Sequence, residues 1–286
     1  MIKITAPILI KNIAEDVKLP LTFFSNSKLT IILDTFTISE RKKFFGLAEL
    51  IINDGAINYK NNSYSFIDIN QQHYLGAGYK IVIQSNYIKS PHELRDLQEN
   101  LDFVFKLVLG CAVEISFLEG FFNKGKGIAK TYPNVLFRTR RKLSDLKNGD
   151  INKAKKIFDK TINSTDKKID LIAVLLNSAT SSDKLDITGA LFVAILESII
   201  VPEGGSEISY KFRMRMTKFL GKDTSFVNIF KGYYQKRSKV VHGSGVDQFT
   251  EEDIKELENY ACILSEKYIL KKFSEKFLDR LLIECK

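Results

Sequence analysis

The feature that most constrains the fold is a change of hydrophobic period near residue 148. Over the first ninety residues apolar and polar side chains alternate, the two-residue repeat of a strand with one buried face. Leu29-Thr30-Ile31-Ile32-Leu33, Tyr64-Ser65-Phe66-Ile67-Asp68-Ile69 and Tyr79-Lys80-Ile81-Val82-Ile83 carry it, with Asn53-Asp54-Gly55 as a turn. Met1 to Pro7 and Ile8-Leu9-Ile10 read as strand as well. Ser90-Pro91 followed by Glu93 opens a helix bearing Leu94, Leu97, Leu101 and Phe105. Val113 to Leu118 and Val135 to Phe137 read as further strands around a Gly/Lys loop at 123–127.

Beyond Asn148 the repeat lengthens to the 3.6 residues of a helix. Asp150 caps a short helix, and Asn163-Ser164-Thr165 marks a break. Ile169, Leu171, Ile172 and Leu175-Leu176 form one stripe; Leu185, Ala190, Leu191, Ala194, Ile195 and Ile199 form a second. Ser209 is placed to cap a third helix with Phe212, Met216 and Phe219, stopped by Gly221. Thr224 or Ser225 opens a fourth, with Phe226, Ile229, Phe230, Tyr233 and Tyr234, stopped by Gly243. Thr250-Glu251-Glu252-Asp253 opens the last and longest, with Ile254, Leu257, Ala261, Leu264 and Tyr268. The expected architecture is α+β: a β-rich domain over 1–148, then an all-α helical bundle over 149–286.

Several function classes lose ground on residue patterns. No run reaches the ~18 uninterrupted apolar residues of a membrane span, and the N-terminus lacks the layout of a signal peptide. Cys111, Cys262 and Cys285 have neither disulfide nor zinc spacing, which fits a reducing cytoplasm. Gly76-Ala77-Gly78 is too short for a dinucleotide fingerprint, and Asn123-Lys124-Gly125-Lys126-Gly127 lacks the P-loop pattern. His73 and His92 lie far from the other chemistry-bearing residues. What remains is charge. The net charge of +9 favours a polyanionic partner, and residues 201–246 hold nine Lys/Arg against three acids, +6 of that total. A second basic run, Lys124, Lys126, Lys130, Arg138, Arg140, Arg141 and Lys142, has no intervening acid. It suits guiding RNA or sensing a nucleic-acid trigger, and equally a solvated hairpin face.

The charge centres on Tyr233-Tyr234-Gln235-Lys236-Arg237-Ser238-Lys239-Val240-Val241-His242-Gly243, at the end of the fourth helix. Arginine holds charge on phosphate oxygens, and histidine moves a proton near neutral pH; together they suffice to cleave a phosphodiester. Five residues of helix turn ~500°, so Arg237 and His242 point ~140° apart unless His242 sits at a capped terminus, as Gly243 allows. Glu197 lies on a preceding helix and is open to pairing with Arg237 or Arg213. Arg213 and Arg215, two apart, cannot share a face; one is expected to meet phosphate or Glu197 and the other solvent. Tyr234 is placed to stack on a base, whereas Tyr233 falls on the apolar stripe.

Leu196-Glu197-Ser198, then Glu207 to Arg215, then Tyr234 to Gly243, in that order, resemble the HEPN superfamily and within it the ApeA-like branch. The likeness covers about Thr180 to Tyr268 and does not reach the first 150 residues. It implies an all-helical endoribonuclease needing no metal or other cofactor, dimeric, with two motifs facing one cleft. It also implies prokaryotic defence against phages, or a toxin held by an antitoxin. Arg237 and His242 would be catalytic, with Ser238 and Glu197 in support. Arg213, Arg215, Lys236, Lys239 and Tyr234 would bind RNA, and the N-terminal domain would regulate or recognise a phage-derived trigger. A plainer reading stands beside it: a surface arginine and a capping histidine in a non-catalytic RNA-binding or dimerisation module, or in a partner that masks another nuclease.

Overall fold

The alternating runs pair into an antiparallel sheet of β1 (Ile2–Ile8), β2 (Leu21–Ser25), β3 (Leu29–Thr35) and β6 (Tyr79–Ser85), in the order β1-β6-β3-β2. A hairpin of β4 (Leu47–Asn53) and β5 (Ala56–Asn61) pairs Asn53 with Ala56. The short strands β7 (Gly120–Phe121) and β8 (Ile128–Ala129) pair with each other. This computed structural model describes residues 2–8, 10, 13–45, 47–53, 56–61, 76–88, 90–109, 120–121, 128–129, 145–202, 207–245 and 248–283. The strands expected at 64–69, 113–118 and 135–137, the 123–127 loop, the basic run Lys124 to Lys142, and His73, Cys111 and Cys285 lie outside those residues.

Among the described residues contacts divide the chain into two units, one ending at Ile162 and one beginning at Asn163. In the first unit, one face of the sheet is core: Ile4, Ala6 and Ile8 of β1, Leu29, Ile31 and Leu33 of β3, and Ile81 and Ile83 of β6 are all buried. The helix expected at Ser90 is α2 (Pro91–Leu109), held by a reciprocal box: Glu93 N–H donates to Ser90 Oγ, and Ser90 N–H donates to the Glu93 carboxylate. A shorter helix, α1 (Ile38–Phe45), uses the same device through Thr37 and Glu40 and was not anticipated.

The helix α3 (Asn148–Thr161) belongs to this unit, not to the bundle where the sequence reading put it. Its Phe158 ring meets both Phe23 (5.7 Å) and Phe24 (5.0 Å) of β2. Neighbouring strand residues ordinarily face opposite ways; a bulge between Thr22 and Phe24 supplies the extra residue that lets both reach. Asp150 sits in the first turn of α3, where its carboxylate accepts the Lys147 N–H.

The second unit is helical: α4 (Lys167–Ser181), α5 (Leu185–Ile200), α6 (Ile208–Phe219), α7 (Phe226–Val241), α8 (Glu251–Lys271) and α9 (Glu275–Ile283). Helix α5 is central and packs on α4, α6, α7 and α8, while α9 packs on α6. That position explains why its stripe was misjudged. Phe192, Val193, Leu196 and Ile200 are buried along with Ile195 and Ile199, because the helix is enclosed on several sides. On α4, by contrast, Leu171 is exposed. Helix α8 is as expected: Thr250 and Asp253 cap it reciprocally, and Ile254, Leu257, Ala261, Leu264 and Tyr268 are buried. Helix α6 begins after Glu207, in the left-handed region at φ 62°, with Ser209 inside the first turn rather than capping it. No described helix is long and apolar enough to cross a membrane.

Two glycines on buried and open helix faces give opposite expectations. A Cβ on Gly189 would lie 2.4 Å from the buried Phe249 ring, whereas one on Gly232 meets nothing within 4 Å. Chemical denaturation should therefore show Gly232→Ala stabilising by about 0.5–1 kcal/mol and Gly189→Ala destabilising by about 1–3 kcal/mol.

Asp166 caps α4 by accepting the Lys168 N–H and also accepts from Tyr268 Oη and Lys272 Nζ. The Lys272 bond, outweighing burial and helped by the other two, holds its carboxyl below the usual range. A depressed carboxylate stabilises the fold above its unfolded pKa, and that contribution is lost as pH falls through its folded value. Asp166→Ala should cost about 1–2 kcal/mol at neutral pH. Its stability curve should converge on that of the wild type below about pH 4.

Candidate functional site

Helix α5 reads Leu-Asp-Ile-Thr-Gly-Ala-Leu-Phe-Val-Ala-Ile-Leu-Glu-Ser-Ile-Ile, so beyond its first turn Glu197 is its one charge. A carboxylate on the central helix of a bundle must find a cation or lose the ionised form. Of the two pairings open to it, the structure makes the one with Arg237: Nη2 of Arg237 lies 3.7 Å from Oε2 of Glu197. The side chains are 26% and 20% exposed, which puts the pair at the edge of the core rather than on the surface. The distance is long for a hydrogen bond, and Glu197 Oε2 is shielded from solvent without any such partner.

Helix α7 carries Arg237. Phe230 and Tyr233 bury one of its faces, and the Tyr233 hydroxyl donates to Glu256 on α8 at 2.9 Å. Tyr233 is buried core, and burial first, then that bond, raises its pKa. Tyr234, next in line, is half-buried with its ring 5.8 Å from Phe212 of α6. Its pKa is raised by burial and by the Glu197 charge, and lowered by Arg237; it therefore sits in the field of the ion pair.

The helix ends as Gly243 foretold. Gly243 adopts φ 66°, its N–H reaches the Val240 carbonyl, and the Ser244 N–H reaches that of Lys239. This double closure leaves His242 as the C-cap, at φ −91° and ψ 5°, with an exposed side chain. Among the described residues no hydrogen bond or ion pair joins it to Arg237. Ser238 is half-buried and Lys239 exposed.

Two residues expected to bind RNA have other work. Arg215 is 2% exposed; Nη1 donates to the Ile200 carbonyl at the end of α5, and Nη2 pairs with Asp279 of α9 at 3.3 Å. It ties three helices together and is out of reach of a ligand. Lys236 donates to Asp253 in the first turn of α8 and lies over the Phe249 ring at 5.7 Å. Its partners, like Asp279, are distant in sequence, and no local pattern announces them. Arg213 is half-buried, with its guanidinium 5.5 Å from the Tyr210 ring and Nε shielded without a hydrogen-bond partner. Neither solvent alone nor Glu197 accounts for it.

Comparison with family models, with curated proteins and with solved structures returns no match. The site is thus described by its own geometry: a shielded Glu197–Arg237 pair, a tyrosine beside it, and an exposed imidazole at the end of the same helix. Among the described residues no group of three His, Cys, Asp or Glu side chains is placed to hold a metal.

The pair is measurable by a double-mutant cycle. Glu197→Gln, Arg237→Gln and the double variant, followed by denaturant unfolding, should give a coupling of about 1–2 kcal/mol, between the surface and fully buried limits. Additive single effects would mean that the two charges do not interact.

Proposed function

We infer that the helical unit is a metal-independent endoribonuclease of the HEPN type. The observation that carries this reading is the Glu197–Arg237 pair. Beyond its first turn an apolar central helix keeps one carboxylate, aims it at a motif arginine, and leaves its Oε2 without a hydrogen bond. A buried polar group left short of partners asks for a reason beyond packing. Positioning a guanidinium for a phosphate is such a reason.

In the proposed reaction the RNA 2′-oxygen attacks the adjacent phosphorus and the bond to the 5′-oxygen breaks. His242 takes the proton from the 2′-hydroxyl or supplies one to the departing 5′-oxygen, and Arg237 stabilises the charge growing on the non-bridging oxygens. The products are a 2′,3′-cyclic phosphate and a 5′-hydroxyl; DNA, without the 2′-hydroxyl, is not cut. One imidazole cannot be base and acid at the same instant. A homodimer bringing two copies of the motif to one cleft supplies the second imidazole. Exposed Lys239 and half-buried Arg213 draw in the phosphate backbone, Tyr234 offers a ring to a base, and Ser238 a hydroxyl to phosphate. The same reading gives the protein a role in anti-phage defence by abortive infection, or as a toxin, in the cytoplasm. An antitoxin or a phage-derived trigger would control it, with the N-terminal unit regulating.

Purified protein should cut a generic RNA in EDTA and leave cyclic phosphate ends. His242→Ala should lower the rate at least ~10²-fold while RNA affinity changes by less than about threefold. RNA binding without cleavage, in resting and triggered protein alike, would favour the non-catalytic module instead.

A further inference from the structure

The outer face of the N-terminal sheet holds a cavity of about 460 Å³, within the range of small-molecule sites. The register aligns Thr5 of β1 with Val82 of β6 along its floor, and α1 with the preceding Phe36 forms the wall. Three chemistries line it.

The first is an ion-paired lysine. Lys80 stands on the central strand between Pro7 and Asp34, with its side chain 9% exposed. It donates to Glu40 of α1 and lies 3.5 Å from Asp34. That bond is the main reason the Glu40 carboxyl is held below its ordinary range, and the two side chains set a donor and an acceptor side by side. The second is unmatched positive charge. Lys3 of β1 and Lys43 of α1 both line the cavity, both are exposed, and neither has an ion pair among the described residues. Since Lys80 is already matched by two carboxylates, the cavity's attraction for anions comes from these two. The third is an apolar wall: Val82 and the rings of Phe36 and Phe44, edge to face at 5.7 Å, with Phe44 partly exposed.

We propose that this cavity binds a nucleoside phosphate. The phosphates lie against Lys3 and Lys43, the sugar hydroxyls at the Lys80–Glu40 pair, and the base against Phe44 and Val82. A bare phosphate would leave the aromatic wall unused, and an uncharged ring compound would leave two lysines unmatched. The assignment does not depend on any activity of the helical unit.

Calorimetric titration of the full chain with ADP, GDP, CDP and UDP tests it, with adenosine and pyrophosphate as controls. At least one nucleotide should bind, with affinity falling as salt rises, and adenosine and pyrophosphate should each bind at least about tenfold more weakly. Lys3→Ala and Lys43→Ala, both exposed positions compatible with folding, should each weaken binding about tenfold, and Lys43→Arg should restore most of it. The proposal is overturned if no nucleotide binds at ~1 mM. It is equally overturned if the lysine variants bind like the wild type, or if pyrophosphate matches the nucleotides.

Discussion

The second unit is organised around one electrostatic obligation: the carboxylate of Glu197 on the most enclosed helix of the bundle. Hydrophobic burial of Phe192, Leu196 and Ile200 fixes α5 in the centre, and with it the position of that charge. A carboxylate so placed needs a cation from a neighbouring helix, and Arg237 of α7 supplies it at 3.7 Å. The rotation of α7 about its own axis is then doubly determined, by Phe230 and Tyr233 facing inward and by Arg237 facing Glu197. Everything on the remainder of α7 follows from that rotation, including the exposure of Lys239 and His242.

Helix ends complete the arrangement. Gly221 and Gly243 both take left-handed conformations, and each closes its helix with the same pair of backbone bonds. Their placement stops α6 and α7 where the loops must turn. It also leaves the imidazole of His242 in solvent, one residue past the helix. Arg215 does the opposite: a basic residue drawn inward to satisfy the Ile200 carbonyl at the end of α5 and to anchor α9. Basic composition in this segment is therefore divided between structure and surface, and its count alone overstates the charge available to a polyanion.

Much of this was legible in the residues, and what was not has physical causes. Strands β3 and β6 and the capping boxes of α2 and α8 carry local signals strong enough to stand alone. Helix α1 has a local signal too, Thr37-Ile38-Ser39-Glu40, yet it is short, polar and set among strands, so periodicity passes over it. Helix α3 has helical spacing but nothing local to say which unit receives it; that choice depends on Phe158 finding Phe23 and Phe24 across a bulge. The phase of α5 was obscured because a helix buried on several sides has no single stripe. At the candidate site, the order Glu197, Arg237, His242 was visible as a motif. The fates of Arg215 and Lys236 were not, because Asp279 and Asp253 reach them only through tertiary packing.

In the proposed reaction one cleft of a homodimer uses His242 of both copies, one imidazole as base and the other as acid. Mixed dimers test this most directly. Wild-type and His242→Ala proteins are mixed in equal amounts at fixed total concentration, allowed to exchange, and assayed for RNA cleavage. If the cleft needs both imidazoles, only the dimers with two wild-type chains cut, and activity should fall to about a quarter of that of the wild type alone. Activity at about half the wild-type level would mean that each chain cuts by itself and would contradict the account.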